Sequence, residues 1–166
     1  MIVYENPWFR VSKEGDFHII EENTAGEGAV VLPLVGDAVL LLEMRRPSQN
    51  GELTLELPRG FGQKGEGAQS AAARELAEET GFVLPVEAFT LLGHVRPNTG
   101  ILRSRVAVFA VEIAEGAAQQ APDKEADGYR LLSLSDLPAA IADGQIEDGF
   151  TLSALMLYQA RQEIRR

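Results

Sequence analysis

The chain contains no cysteine. That excludes disulfides, thiolate metal sites and cysteine nucleophiles together, and it is compatible with any redox compartment. No apolar run approaches the length of a membrane span, and the opening MIVYENPWFR has no basic segment followed by a hydrophobic one, so the sequence predicts a cytoplasmic protein with no membrane partner. Positive charge is also scarce. Fifteen lysines and arginines face 25 aspartates and glutamates, a net charge of −10, which argues against a long nucleic acid as partner because its phosphates would be repelled by the surface as a whole. A small phosphorylated substrate stays open, provided bound cations and a few arginines reverse the sign locally. There is no internal repeat and no linker-like stretch.

What is present is the composition of a soluble globular protein, 45% apolar and 24% charged, over a length that suits one domain with a proper core. One stretch organises it: residues 60–82, GFGQKGEGAQSAAARELAEETGF. At about 100° per residue, Glu75, Glu78 and Glu79 fall at i, i+3 and i+4 of a helix, so their carboxylates leave one face together. Three carboxylates there repel one another unless a hard divalent cation takes them as oxygen ligands, and Mg²⁺ or Mn²⁺ suits that donor set. Arg74, four residues before Glu78, can hold one carboxylate while leaving its neighbours free for metal. Ala72, Ala73, Leu76 and Ala77 form the opposite, small-residue face, and Gly81 ends the helix as a C′ glycine would. A run such as RELAEE is commonly no more than the solvated side of an amphipathic helix. Two features point elsewhere: the helix has no lysine to balance its acids, and Gly60, Gly62, Gly65 and Glu66 form a loop that a solvated helix would not need.

Gly60, Glu66, Arg74, Glu75, Leu76, Glu78, Glu79, Gly81 and Phe82 spell G-x5-E-x7-R-E-U-x-E-E-x-G-U, where U is bulky and apolar. The pattern resembles the Nudix box of the Nudix hydrolases. With each residue type used at roughly 7%, its seven exact matches have a chance probability on the order of 10⁻⁸ per starting position. The resemblance implies an α+β fold of the Nudix type, an α/β/α sandwich around a mixed sheet. Residues 1–166 are then expected to form a single Nudix hydrolase domain, with residues 1–27 as an added N-terminal hairpin arm.

Several other segments take meaning from that frame. Residues 8–21 alternate around Glu14-Gly15 and read as a β-hairpin, either covering a core edge or forming the arm of a homodimer. Trp8 in it either stacks on a base or anchors the arm. Residues 29–35 and 38–43 are strands about a Gly36-Asp37 turn, with Pro33 demoting the first to an edge or a bulge. Residues 53–57, 89–94, 104–113 and 129–133 read as further strands. Ser135-Asp136 caps a short helix closed by Gly144, and residues 151–164 form a second main helix burying Leu152, Leu155, Met156 and Tyr158 or their neighbours. His94, alone at a strand end, is either a base or structural.

The resemblance also assigns roles. Arg46-Pro47 matches an arginine–proline pair that contacts substrate phosphate in ADP-ribose pyrophosphatases, and Pro97 matches a proline downstream of the box in that group, although the acidic residue that often follows is replaced by Ile101-Leu102-Arg103. Glu56-Leu57-Pro58-Arg59-Gly60 fits the segment whose fourth residue offers a backbone carbonyl to metal. Arg59 stands where alanine is usual, so its side chain is free to reshape the pocket or grip a phosphate. Glu125 stands in the loop that supplies a water-activating base; the plain alternative is a charged loop tip. The implied metal set is Glu75, Glu78 and Glu79, with Glu66 as an outer ligand and the Arg59 carbonyl. Arg74 orients them, and Glu78 is the second candidate base. The implied reaction is Mg²⁺- or Mn²⁺-dependent hydrolysis of a nucleoside diphosphate linked to another group X, with ADP-ribose or a related nucleotide sugar leading. Nucleoside triphosphates, dinucleoside polyphosphates or a non-catalytic nucleotide sensor are the alternatives.

Overall fold

In the strand Gly26–Val35 (β4), side chains alternate between two cores, as the two-residue period of a strand requires. Val30, Leu32 and Leu34 join one buried cluster; Ala29 and Val31 join the other. The computed structural model describes residues 1–22 and 26–164. Around β4, the strands Ala38–Arg45 (β5), Leu53–Glu56 (β6), Arg59–Gly62 (β7), Thr90–Val95 (β8), Val106–Glu112 (β9) and Gly128–Ser133 (β10) complete a seven-stranded sheet. Its main path runs β10-β5-β4-β9-β8, with β6 on β5 and β7 on β4. Only β4–β9 is parallel, so the sheet is mixed. The helix Ala68–Thr80 (α1) buries Ala71, Ala72 and Leu76 against one face, while Leu137–Ala142 (α2) and Gly149–Ile164 (α3) cover the other. This is the expected α/β/α sandwich.

The N-terminal arm is larger than a hairpin. Ile2–Glu5 (β1) adds antiparallel to Phe9–Glu14 (β2), which pairs with Phe17–Glu22 (β3). This small sheet is tied to the body where Ile20 N–H donates to Ile101 O at 2.7 Å and Arg103 N–H donates to Ile20 O at 3.0 Å.

Four local expectations are corrected. Pro33 lies in a central strand, because β4 exchanges partners beside it. The β7 ladder ends at Val30, Val31 N–H donates to Pro58 O at 2.9 Å, and the β5 ladder covers only Leu34 and Val35. A missing N–H at position 33 therefore removes no ladder bond. In α1 the packed face carries Ala71 in place of Ala77, and Glu75 and Glu79 are buried with it. In α3, Thr151, Ala154 and Leu155 are buried while Met156 is exposed; the helix starts two residues earlier than its apolar pattern suggested. Asp136 precedes α2 without a side-chain capping bond.

The partner exchange has a consequence for function. Beyond their shared turn β4 and β5 splay apart, and the connection from β6 to β7, Glu56-Leu57-Pro58-Arg59, fills the gap. It delivers the glycine loop to α1.

Candidate active site

The close approach of β7 to α1 depends on Gly60. A Cβ at that position would lie 2.1 Å from Glu75 Oε1, so only glycine lets the buried Glu75 carboxylate rest against the strand. One helical turn on, Glu79 Oε2 accepts the Arg59 backbone N–H at 2.9 Å. Both acids are under a tenth exposed, whereas the Glu78 side chain is about half exposed at 48%. Arg74 holds far more than the one carboxylate expected of it. Its Nε and Nη2 donate to Glu66 at 3.0 and 2.9 Å, its Nη1 to Glu75 at 2.7 Å and Glu78 at 2.8 Å, and its Nη2 to the Phe61 carbonyl at 2.8 Å. The side chain is not a clamp on one acid but a hub between three.

Protonation follows from these contacts. The Arg74 bond holds the Glu66 carboxyl below its ordinary range, with help from the Gln63 N–H. Burial pushes Glu75 up, although Arg74 opposes the shift. Among the described residues no guanidinium pairs with Glu79. Burial pushes it up to about 8, and the neighbouring Glu75, Glu125 and Asp123 push in the same direction against the single Arg59 N–H.

A second set of charges runs across the mouth of the cleft. Glu56, 3% exposed, accepts Arg46 Nε and Nη2 at 3.2 and 3.0 Å and Arg59 Nη2 at 3.0 Å, with Thr54 Oγ1 on its other oxygen at 2.9 Å. Arg46 Nη1 continues to Glu125 at 2.6 Å, and Arg59 Nη1 to Asp148 at 2.8 Å. The Arg59 guanidinium also lies 4.9 Å over the Phe150 ring. Asp148 in turn accepts the Thr151 N–H and hydroxyl, both at 2.8 Å, as a cap on α3. Thr151 Oγ1 accepts the buried Leu57 N–H at 3.0 Å. The chain Glu125–Arg46–Glu56–Arg59–Asp148 thus joins the loop of residues 114–127 to the start of α3.

Arg46, Arg59, Arg74, Glu75 and Glu125 line one cleft of about 780 Å³ together with Trp8, Phe61 and Phe150, while Glu56 and Asp148 line another pocket that shares Arg46 and Arg59 with it. Trp8 is 71% exposed, which leaves its ring open to a ligand. Pro97 is in the β8–β9 connection, outside the residues that line this cleft, and His94 lines a different pocket against α3. Glu56, Asp148, Phe61 and Phe150 had not been singled out for the site. Asp148 left a signal, an aspartate three residues before Thr151 at a helix start; its partner Arg59 is 89 residues away in sequence.

The donor set fits a hard divalent cation. Six carboxylates (Glu56, Glu66, Glu75, Glu78, Glu125 and Asp148) share three guanidinia (Arg46, Arg59 and Arg74), and among the described residues no guanidinium pairs with the buried Glu79, which accepts the Arg59 backbone N–H. Among the described residues no three acids are set as a ready cage; the Arg74 guanidinium stands between Glu66, Glu75 and Glu78.

A family model described as NUDIX domain matches residues 25–151, which is most of the chain. The chain belongs to the Nudix family. A curated relative, "Putative nudix hydrolase 2" of Caenorhabditis elegans, is 56% identical over 45 residues, which cover 27% of this chain and 19% of that protein. The Nudix fold is shared with a crystal structure described as an ADP compounds hydrolase, which superposes with a TM-score of 0.72 at 19% identity over 99% of this chain and 92% of that one. No helix among the described residues of this Nudix protein is long and apolar enough to cross a membrane.

Proposed function

We propose that this Nudix protein is a pyrophosphohydrolase that cleaves the diphosphate bond of a nucleoside diphosphate linked to X, with ADP-ribose or a related nucleotide sugar as the leading substrate. The observation that carries the reading is the buried Glu75 carboxylate, which lines one cleft together with Arg46, Arg59 and Arg74, with the buried Glu79 one helical turn on. The structural neighbour described as an ADP compounds hydrolase supports the substrate class.

In this reading Arg46 and Arg59 take the non-bridging oxygens of the diphosphate, each held from behind by Glu56. Trp8 and Phe61, both exposed rings on the cleft, offer faces to the base. Glu75, Glu78 and Glu79 would hold Mg²⁺ or Mn²⁺, with Glu66 as an outer ligand. When bound, such an ion neutralises phosphate charge and lowers the pKa of a coordinated water. Glu125, exposed at the cleft rim, accepts the proton of the attacking water, with Glu78 second in line. A new P–O bond forms to water, the anhydride P–O bond breaks, and the products are a nucleoside monophosphate and a sugar phosphate. The cytoplasmic address, the single domain and the homodimer belong to the same reading; the exposed apolar side chains of Ile2, Val3 and Tyr4 on β1 give a second copy a surface to cover.

The test is a panel of ADP-ribose, nucleotide sugars, nucleoside triphosphates and dinucleoside polyphosphates incubated with Mg²⁺, for the wild type and for Glu79→Gln and Glu78→Gln. Turnover of ADP-ribose or a nucleotide sugar that falls by about 10²-fold or more in Glu79→Gln supports the reading. Unchanged turnover in both variants contradicts the metal assignment. Turnover confined to triphosphates moves the substrate class, and no turnover of any compound leaves a nucleotide sensor.

A further inference from the structure

We infer that Asp123 is the positioning residue that fixes Glu125 at the cleft, an inference that rests on the reading of Glu125 as the base. The segment between β9 and β10 has little regular structure, yet it is fastened at both ends of a short strap. On the α1 side, Gln120 N–H donates to Gly81 O at 2.9 Å, Gln119 Nε2 to Thr80 O at 3.0 Å, and Asp123 N–H to Glu78 O at 2.7 Å. On the β5 side, Asp127 N–H donates to Glu43 O at 2.9 Å and its carboxylate accepts Arg45 Nε at 2.8 Å. Glu125 lies between these two feet. Its backbone N–H donates to Asp123 Oδ1 at 2.9 Å, an Asx turn built on a residue already docked to the box helix.

Among the described residues the Glu125 carboxylate accepts a hydrogen bond from Arg46 Nη1 at 2.6 Å. Arg46 is also the arginine assigned to substrate phosphate, and phosphate competes with an exposed carboxylate for the same guanidinium. Once substrate holds Arg46, the Asp123 turn is what keeps the freed Glu125 carboxylate over the cleft. A base displaced by about 1 Å from its water loses much of its effect. The contact uses Asp123 as a hydrogen-bond acceptor, and an asparagine carbonyl accepts the same N–H. Its charge is not required.

Steady-state kinetics on ADP-ribose with Mg²⁺ test this in Asp123→Ala, Asp123→Asn, Glu125→Gln and the double variant Asp123→Ala/Glu125→Gln. The expected result is a fall in kcat of about 10-fold in Asp123→Ala, with KM changed by no more than about twofold because Arg46 and Arg59 are untouched. Asp123→Asn keeps most of the wild-type kcat, and Asp123→Ala adds no further loss in the Glu125→Gln background. The inference is overturned if Asp123→Ala has wild-type kcat, if Asp123→Asn falls as far as the alanine variant, or if the two losses add in full. Wild-type kcat in Glu125→Gln overturns the assignment of the base itself, and the positioning role with it. Turnover in that variant separates the two failures.

Discussion

At the scale of single residues, Glu79 carries the strongest tension in the structure. Its folded pKa of about 8 stands above the ordinary 4.5 chiefly because it is buried. Between about pH 4.5 and about 8 the folded chain therefore holds a proton that the unfolded chain has lost, and stability of the metal-free protein falls as pH rises through that window. Thermal melts in a chelator at stepped pH are expected to show this decline, and Glu79→Gln to flatten it. A melting temperature that rises over the same window contradicts the burial argument. Gly60 makes a second prediction at this scale. A Cβ placed 2.1 Å from Glu75 Oε1 must push that carboxylate aside, so Gly60→Ala is expected to weaken Mn²⁺ binding by about 10-fold or more while the chain still folds. Calorimetric titration with Mn²⁺ checks it.

At the scale of elements, the two ends that matter are the close of α1 and the opening of α3. Gly81 ends α1 at a φ of +81°, and a Cβ there would sit 2.1 Å from Gln120 O, in the strap that carries Glu125. Gly81→Ala is expected to cost about 1–3 kcal/mol of stability in denaturant unfolding, and to lower kcat through the displaced strap. Asp148 opens α3. Its replacement by alanine removes the cap, at about 1 kcal/mol, and takes one partner from Arg59, so KM for the nucleotide is expected to rise with kcat little changed. These elements were unequally legible. The box helix could be read from residue types and helical spacing alone, because Glu75, Glu78, Glu79 and Gly81 act within one or two turns. The Pro33 strand could not be, since its tolerance depends on β4 changing partners in space. Strand β7 was missed because Arg-Gly-Phe-Gly has no alternation to read. The hub role of Arg74 needed the loop to fold Glu66 and the Phe61 carbonyl back onto the helix.

At the scale of the whole molecule, a chain of net charge −10 gathers three arginines, Arg46, Arg59 and Arg74, on the walls of one cleft beside Glu75 and Glu125. The splayed strands β4 and β5 provide the space, and two helical layers hold it open. The proposed hydrolysis needs a divalent cation held at the box helix. Ligand binding to the folded state alone raises its stability, so Mg²⁺ is expected to raise the melting temperature, and to do so more at pH 8 than at pH 6, where Glu79 holds its proton. The most direct measurement is calorimetric titration of Mn²⁺ into the wild type and into the variant carrying both Glu75→Gln and Glu79→Gln. Saturable binding in the wild type, lost in a double variant that still melts cooperatively, is the predicted result; equal binding by the two proteins, or none by the wild type, contradicts the account.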